Sequence, residues 1–263
     1  MKLKRSPKVT VLIINYNNSN YIERCVKSVL SQTYQNIEII FVDDLSTDDS
    51  INKIKKFKSV KVFKTKTKTN YGSLNQINAC KIGLLKSKGD YIFFLDSDDF
   101  FLKNKVKTVM EYYQHNGFDV CFDIPYLYFS KKNKKKLKIK KRNKFLVPWP
   151  QFGPQSCIFI KKKYLKKILK KISTQNFKNI WLDFRIINQA TIEFNNVFSI
   201  PSYLTMYQQK SDSASSGFKK FSKNWWLRRL EAHQFLKYLY KKNNRNLPLT
   251  FDAIITYFVN KFI

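Results

Sequence analysis

Acid is what this sequence has least of. Only 18 Asp and Glu stand against 50 Lys and Arg in 263 residues, a formal net charge of +32. That imbalance fits a polyanionic partner (nucleic acid, an anionic membrane face or a phosphorylated substrate), or a composition biased toward Lys, Asn, Ile, Phe and Tyr; charge alone does not decide fold. Glycine is scarce at 6 residues, so each one is a candidate for a specific backbone task. The four cysteines, Cys25, Cys80, Cys121 and Cys157, lie far apart with no C-x-x-C pair, which excludes the common zinc and redox motifs. They read as small core residues of a protein in a reducing cytoplasm. Long apolar runs are missing too. The stretch after "MKLKRSPK" is too short to span a bilayer, and the longest uncharged runs, 145–160 and 194–209, are interrupted by Pro, Asn or Gln. No Ser–His–Asp order and no phosphate-cradling glycine loop is evident, and His115 and His233 read as surface or helix-face residues.

What is present is a chain that folds. Apolar residues make up 43% and aromatics 16%, which excludes disorder as a whole-chain state. The length suits one large domain, or a domain plus an extension. Val9–Ile14 is a continuous apolar run, as in a strand covered on both faces. A loop "NYNNSN" follows as a helix cap, then a helix over "YIERCVKSVLSQ", with Ile22, Cys25, Val26, Val29 and Leu30 at helical spacing. "IEIIFVDD" reads as a second strand, "STDDSINKIKKF" as a capped helix and "VKVFK" as a third strand. "SLNQINACKIGLLKSKG" reads as a helix ending at Gly89, and "DYIFFLD" as a fourth strand. Alternation of this kind predicts right-handed βαβ units, a parallel sheet, and a ligand site beyond the carboxyl ends of its strands.

Later elements are mixed. The pattern predicts a helix over 101–117, a strand over 118–129, and a solvated edge hairpin in the basic run "KKNKKKLKIKKRNK", 131–144. It then predicts a Pro- and aromatic-rich loop, a strand at "SCIFI", a basic helix at "KKYLKKILKKI", a helix over 179–194 and an extended segment over 197–209. Residues 218–263 read as mostly helical, broken by Pro248.

The scarce acids gather on the predicted ligand edge. Asp43 and Asp44 end the second strand, and Asp96, Asp98 and Asp99 end the fourth in "YIFFLDSDDF", level with Asn15, Tyr16 and Asn17 after the first. A D-x-D at a strand end serves a diphosphate bound with Mg²⁺ or Mn²⁺, because phosphate oxygens and water complete the octahedron. Helix capping accounts for one such Asp but poorly for three. Asp43 and Asp44 have a turn-and-cap reading through Ser46 and Asp48, and also a nucleotide reading as acceptors for a base N–H or a ribose hydroxyl.

These stretches, in order and spacing, resemble the nucleotide-sugar half of a family 2 glycosyltransferase over residues 8–110. The resemblance implies a GT-A (Rossmann-like) α/β fold: a mixed, mainly parallel sheet flanked by helices. It also implies a nucleoside-diphosphate-sugar donor (UDP on family grounds), Mn²⁺ or Mg²⁺, and inversion at the anomeric carbon. By position it places Tyr16 on the nucleobase beside the Ile14–Asn17 backbone, Asp44 on the base edge with Asp43 beside it, and Asn78 near the donor. Ile77 stands where the family commonly has Arg, so one diphosphate contact departs from the pattern. Asp96, Ser97 and Asp98 form the D-x-D, with Asp98 the first choice as metal ligand and Asp99 the alternative.

On the acceptor side Gln155 and Ser156 match the family's polar positions. "NIWLDF" matches its Glu-Asp helix start, with Leu182 in place of Glu and Trp181 before it, so Asp183 falls where the catalytic base sits. Its other reading is a helix N-cap. Gln208 and Gln209 stand where a basic residue is usual, with Lys210 next to them. The expected organisation is residues 1–215 as the transferase domain (1–110 nucleotide half, 111–215 acceptor half) with a helical extension over 216–263.

The expected activity is transfer to a glycan or lipid-linked acceptor in bacterial surface polysaccharide synthesis, in the cytoplasm. The alternative is a basic nucleic-acid- or membrane-binding protein without transferase activity. The basic run has too few aromatics for single-strand stacking, so no specific nucleic acid is expected. Peripheral contact with the inner membrane leaflet is compatible with transfer. For it, "LTFDAIITYFVNKFI" offers an apolar face, if that segment is not simply a packed helix.

Overall fold

A computed structural model describes residues 6–139, 143, 145–171, 176–210 and 218–263. Apolar β-branched runs form β1 (Val9–Asn15), β2 (Ile37–Asp43), β3 (Val60–Lys64) and β4 (Tyr91–Asp96), joined by α1 (Ile22–Leu30), α2 (Ser50–Lys55) and α3 (Gly72–Lys86). β5 (Phe100–Phe101), α4 (Lys105–Asn116), β6 (Val120–Tyr128) and β7 (Lys134–Lys136) follow. After them come β8 (Ile158–Lys161), α5 (Lys162–Lys171), α6 (Leu182–Glu193), β9 (Val197–Gln208), α7 (Lys223–Lys242) and α8 (Phe251–Val259).

All nine strands among the described residues join one sheet in the order β3-β2-β1-β4-β8-β6-β9-β5, with β7 on β6. β1, β2, β3 and β4 run parallel, whereas β8 meets β4 and β6 antiparallel. This is the expected α/β sheet, parallel through its first half. Period-two alternation splits its side chains between two cores. Leu12, Ile40, Phe94 and Ile158 face α3, α5 and α6, while Val11, Ile13, Phe41 and Phe93 face α1 and α4. A third cluster packs α7 on α6 through Ile180, Ile192, Phe235, Leu236 and Leu239.

Several local expectations are corrected. α3 ends at Lys86, not Gly89, because Ser87 turns extended. Gly89 instead lies against β1, where a Cβ would come 2.7 Å from the Thr10 nitrogen. α4 starts at Lys105, since Phe100 and Phe101 pair with Met206 and Thr205 of β9. α1 has no side-chain cap, because Tyr21, not a residue of "NYNNSN", stands at its N-cap. Leu30 is exposed and His233 is buried. The expected hairpin is present as β7 against Tyr126–Tyr128, though its far end lies partly outside the described residues, as does the expected boundary between 215 and 216. All four cysteines are buried and free, and burial pushes their thiols up, so they are inert core residues.

Candidate functional site

Strand register gathers the site. Asn15 pairs with Asp43, Ile14 with Asp96, and Asp43 with Lys64, so the ends of β1, β2 and β4 lie level. Asn15 donates from Nδ2 to Asp43 Oδ1 at 2.8 Å, and the Ser46 N–H donates to Asp43 Oδ2 at 3.0 Å. Asp43 therefore braces the strand ends. Asp44 is buried and accepts from the Thr65 hydroxyl at 2.9 Å; burial raises its carboxyl against that bond and against Lys68. Tyr16 is 46% exposed, and Lys68 Nζ lies 3.1 Å from its ring centroid. Asn17 adopts φ 49° and accepts the Thr47 N–H, fixing the turn beyond β1. The Asn15 Oδ1 atom is buried without a partner among the described residues.

The three acids after β4 stand in different environments. Asp99 is fully buried and both its oxygens are taken, Oδ2 by the Ser156 hydroxyl at 2.6 Å and Oδ1 by the Gln208 N–H at 2.8 Å. Burial, then Asp98 and Asp96, push its carboxyl well above the usual range. Ser156 also accepts the Asp96 N–H at 2.9 Å, so one hydroxyl ties the two acids together. Asp96 accepts from Gln155 Nε2 at 2.8 Å. Burial, then the charges of Asp98 and Asp183, push it up to about 8. Asp98 is half-buried, as is Asp96, and its carboxylate is held 2.9 Å from Lys210 Nζ. Ser97 is buried and accepts from Asn18, whose Oδ1 accepts from Lys210 at 2.7 Å.

Asp183 stands in the first turn of α6, after Trp181 as N-cap, and its Oδ1 accepts the Phe184 N–H at 2.6 Å. It does not cap the helix in the expected sense. Burial raises its carboxyl, partly offset by that N–H and by Arg228 of α7. Trp181 lies on the start of α3, with its Cη2 atom 3.0 Å from where a Cβ on Gly72 would be. Asn78 is half-buried on α3 and its side chain has no hydrogen bond within the described residues, while its neighbour Ile77 is fully buried in the core and offers no polar side chain. Gln155 is buried, with Oε1 unpartnered among the described residues. The structure brings Asn15 against Asp43, and Asp96 and Asp99 against Gln155 and Ser156, whereas no contact among the described residues joins Asn78 to them.

Some site residues gave no sequence signal. Arg24 lies off the apolar stripe of α1, yet its Nη2 donates to the Asp98 carbonyl at 2.9 Å and to Gln208 Oε1 at 2.7 Å, and its guanidinium stacks on Phe100. Lys105 is buried under the site, donating to Asp123 at 2.8 Å and to the Ser156 carbonyl at 2.6 Å. Tyr207 feels all of Asp99, Asp96, Asp183 and Asp98; burial, then these charges, push its phenol up. Arg228 feels both Asp183 and Tyr207. These contacts join residues far apart in the chain and have no local pattern.

No group of three or more His, Cys, Asp or Glu among the described residues is arranged to hold a metal by itself. The donors present still suit a divalent cation that takes most of its ligands from a diphosphate and water. Asp98 presents a half-buried carboxylate beside Asp96, and the Lys210 ammonium already stands against it as a built-in cation.

A parallel sheet with a buried acidic loop at its carboxyl edge, continued by a mixed half in which β8 is antiparallel and β6 and β9 run parallel, is the GT-A architecture. The glycosyl transferase family 2 model matches residues 10–172, more than half of the chain, and the chain belongs to that family. It is 39% identical over 104 residues to the Escherichia coli UDP-Glc:alpha-D-GlcNAc-diphosphoundecaprenol beta-1,3-glucosyltransferase WfaP, covering 40% of each chain. Among solved structures it resembles Staphylococcus aureus TarS 1-349 in complex with UDP. That match has a TM-score of 0.63 at 15% identity and covers 95% of this chain and 68% of that one. It also resembles the mannosyltransferase PcManGT of Pyrobaculum calidifontis in complex with GDP-Man and Mn²⁺. Here the TM-score is 0.58 at 13% identity, with the same two coverages. At these identities the structural matches speak for the fold. The chain spans less than half the length of the curated relatives it matches. Family membership does not favour the alternative of a nucleic-acid binder without transferase activity.

Proposed function

We propose that the chain is an inverting glycosyltransferase. It moves a sugar from a nucleoside diphosphate, a UDP-sugar, to a hydroxyl of a glycan or lipid-linked acceptor in bacterial surface polysaccharide or glycoconjugate synthesis. The observation that carries this reading is one edge holding a half-buried carboxylate, Asp98, beside two raised carboxyls, Asp96 and Asp183. The names of relatives support the substrate classes: WfaP carries UDP-Glc and a diphosphoundecaprenol acceptor in its name, and TarS and PcManGT were solved with UDP and with GDP-Man and Mn²⁺.

In this reading the exposed Tyr16 ring stacks on the nucleobase and Lys68 moves off it. Asp44 and the Ile14–Asn17 backbone take the base edge and ribose, with Asp43 bracing them. Asn78 and Ser97 line the donor side. Asp98, with Asp96, holds Mn²⁺ or Mg²⁺, which when bound neutralises charge growing on the leaving diphosphate. Asp99 holds the loop in place. On the acceptor side Trp181, Gln155 and Ser156 form the floor. An acceptor hydroxyl has a pKa far above 7, so a carboxylate must take its proton as the bond forms. Asp183 Oδ2 does this, since Oδ1 is bound to the Phe184 N–H. Its raised pKa makes it a stronger base. One displacement inverts the anomeric centre.

The transferase domain covers residues 1–215, with a nucleotide half to 110, and the extension covers 216–263. The chain works in the cytoplasm, where a set of free thiols is stable. No helix among the described residues is long and apolar enough to cross a membrane. Incubation with labelled UDP-sugars and a lipid-diphosphate sugar acceptor, with and without chelator, tests the reading. Metal-dependent product of inverted anomeric configuration is expected. Retained configuration, or transfer that persists in chelator, overturns the mechanism.

A further inference from the structure

The last helix is built the wrong way round for a soluble surface. α8 turns its polar side inward: Asp252 pairs with Arg229 and with His233 Nε2 at 2.7 Å, Thr256 is fully buried, and Asn260 Nδ2 donates to the Trp226 carbonyl at 3.2 Å. Its outward side is apolar, with Phe251 62% exposed, Phe258 63% and Phe262 74%, and Ile254 between them. The Phe251 and Asp252 N–H groups donate to the Phe145 and Leu146 carbonyls, which places the 83%-exposed Phe145 beside the same face. A contiguous apolar face of this kind marks an interaction surface.

Charge selects the partner. Phe145 directly follows residues 131–144, which hold ten Lys and Arg and no acid, and Lys261 sits at the other end of the face. The only acid on α8, Asp252, is turned inward and paired. A second copy of a chain carrying +32 would be repelled, whereas an anionic bilayer is attracted. We propose that α8 and the Phe145–Leu146 loop form a membrane-docking face that inserts its aromatic and aliphatic side chains at the surface of an anionic lipid bilayer, to which the chain's net positive charge draws it. A helix lying in the interface with one apolar side is the known physical form of such contact. This does not depend on the transfer reaction.

Co-sedimentation of the full chain with vesicles of phosphatidylcholine and phosphatidylglycerol in equal parts tests it. The wild type binds these vesicles, binds phosphatidylcholine alone far more weakly, and is released by high salt. Ile254→Asp with Phe258→Asp replaces exposed side chains, so the fold is kept, and lowers the partition coefficient by at least about tenfold. Leu85→Asp, which changes an exposed apolar residue on α3, leaves it unchanged. Equal binding of the double variant, or equal binding to phosphatidylcholine alone, overturns the proposal. A dimer in light scattering that the double variant dissociates, without vesicle binding by the wild type, assigns the face to a second copy and overturns it as well.

Discussion

The Lys210 ammonium stands 2.9 Å from Asp98 Oδ2, at the end of β9 and across the site from β1. It gives the half-buried Asp98 carboxylate a cation of its own and reaches Asn18 at 2.7 Å. In the proposed reaction this ammonium is the charge-assisted donor to the diphosphate at the place where Gln208 and Gln209 stand instead of a basic residue. Lys210→Met is expected to weaken UDP binding by about tenfold, a loss of about 1.4 kcal/mol. Titration calorimetry reads it, and an unchanged affinity would show that Lys210 serves only Asp98.

In the proposed mechanism Asp183 acts on the acceptor hydroxyl and not on the donor. Asp183→Asn keeps the shape and the Phe184 N–H contact but cannot accept a proton. The turnover number is expected to fall by about 10²–10⁴-fold, with the donor dissociation constant unchanged. Equal loss of donor affinity would move Asp183 into the nucleotide site.

Beneath the site, Lys105 and Asp123 are both buried and paired at 2.8 Å, with Thr205 and the Ser156 carbonyl completing the cluster. Lys105→Met leaves Asp123 buried without its partner, at a cost of about 3–5 kcal/mol. Urea unfolding measures this. A loss under about 1 kcal/mol, the range of an exposed pair, would show that the cluster is not desolvated.

The α7–α8 contact is pH-sensitive. Burial raises the Asp252 carboxyl, but hydrogen bonds from His233 and Arg229 and their charges outweigh it and hold the pKa below its ordinary value. The stability this lends is complete above the unfolded value of about 3.9 and is lost as pH falls through the lower folded value. Amide exchange of α8 should therefore accelerate in that acid window in the wild type. In Asp252→Asn the contact is weak at neutral pH and its exchange lacks the acid transition; an identical acid profile in both would place the titration elsewhere.

Much of this was legible from local pattern. Alternation of buried strands and helices located the sheet, and the acids after β2 and β4 fell level, as register now shows through the Asn15–Asp43 and Ile14–Asp96 pairs. The distinction between Asp98 and Asp99 was not legible, because it depends on Ser156 and Gln208, which reach Asp99 from distant strands. Arg24 escaped notice for the same reason: its partner Gln208 lies at the far end of the chain. For α8 the sequence left two readings open, an exposed apolar face or a packed helix. Its periodicity shows an apolar side, but only the pairing of Asp252 with α7 decides which way that side turns.

The central claim is that Asp98 holds the cation through which the donor diphosphate binds. Titration calorimetry of UDP with and without Mn²⁺, on the wild type and on Asp98→Ala, tests it most directly. The account predicts binding that requires Mn²⁺ in the wild type and is lost in Asp98→Ala, with the melting temperature of that variant no longer raised by UDP and Mn²⁺ together. Equal UDP affinity in both proteins, indifferent to Mn²⁺, would contradict it.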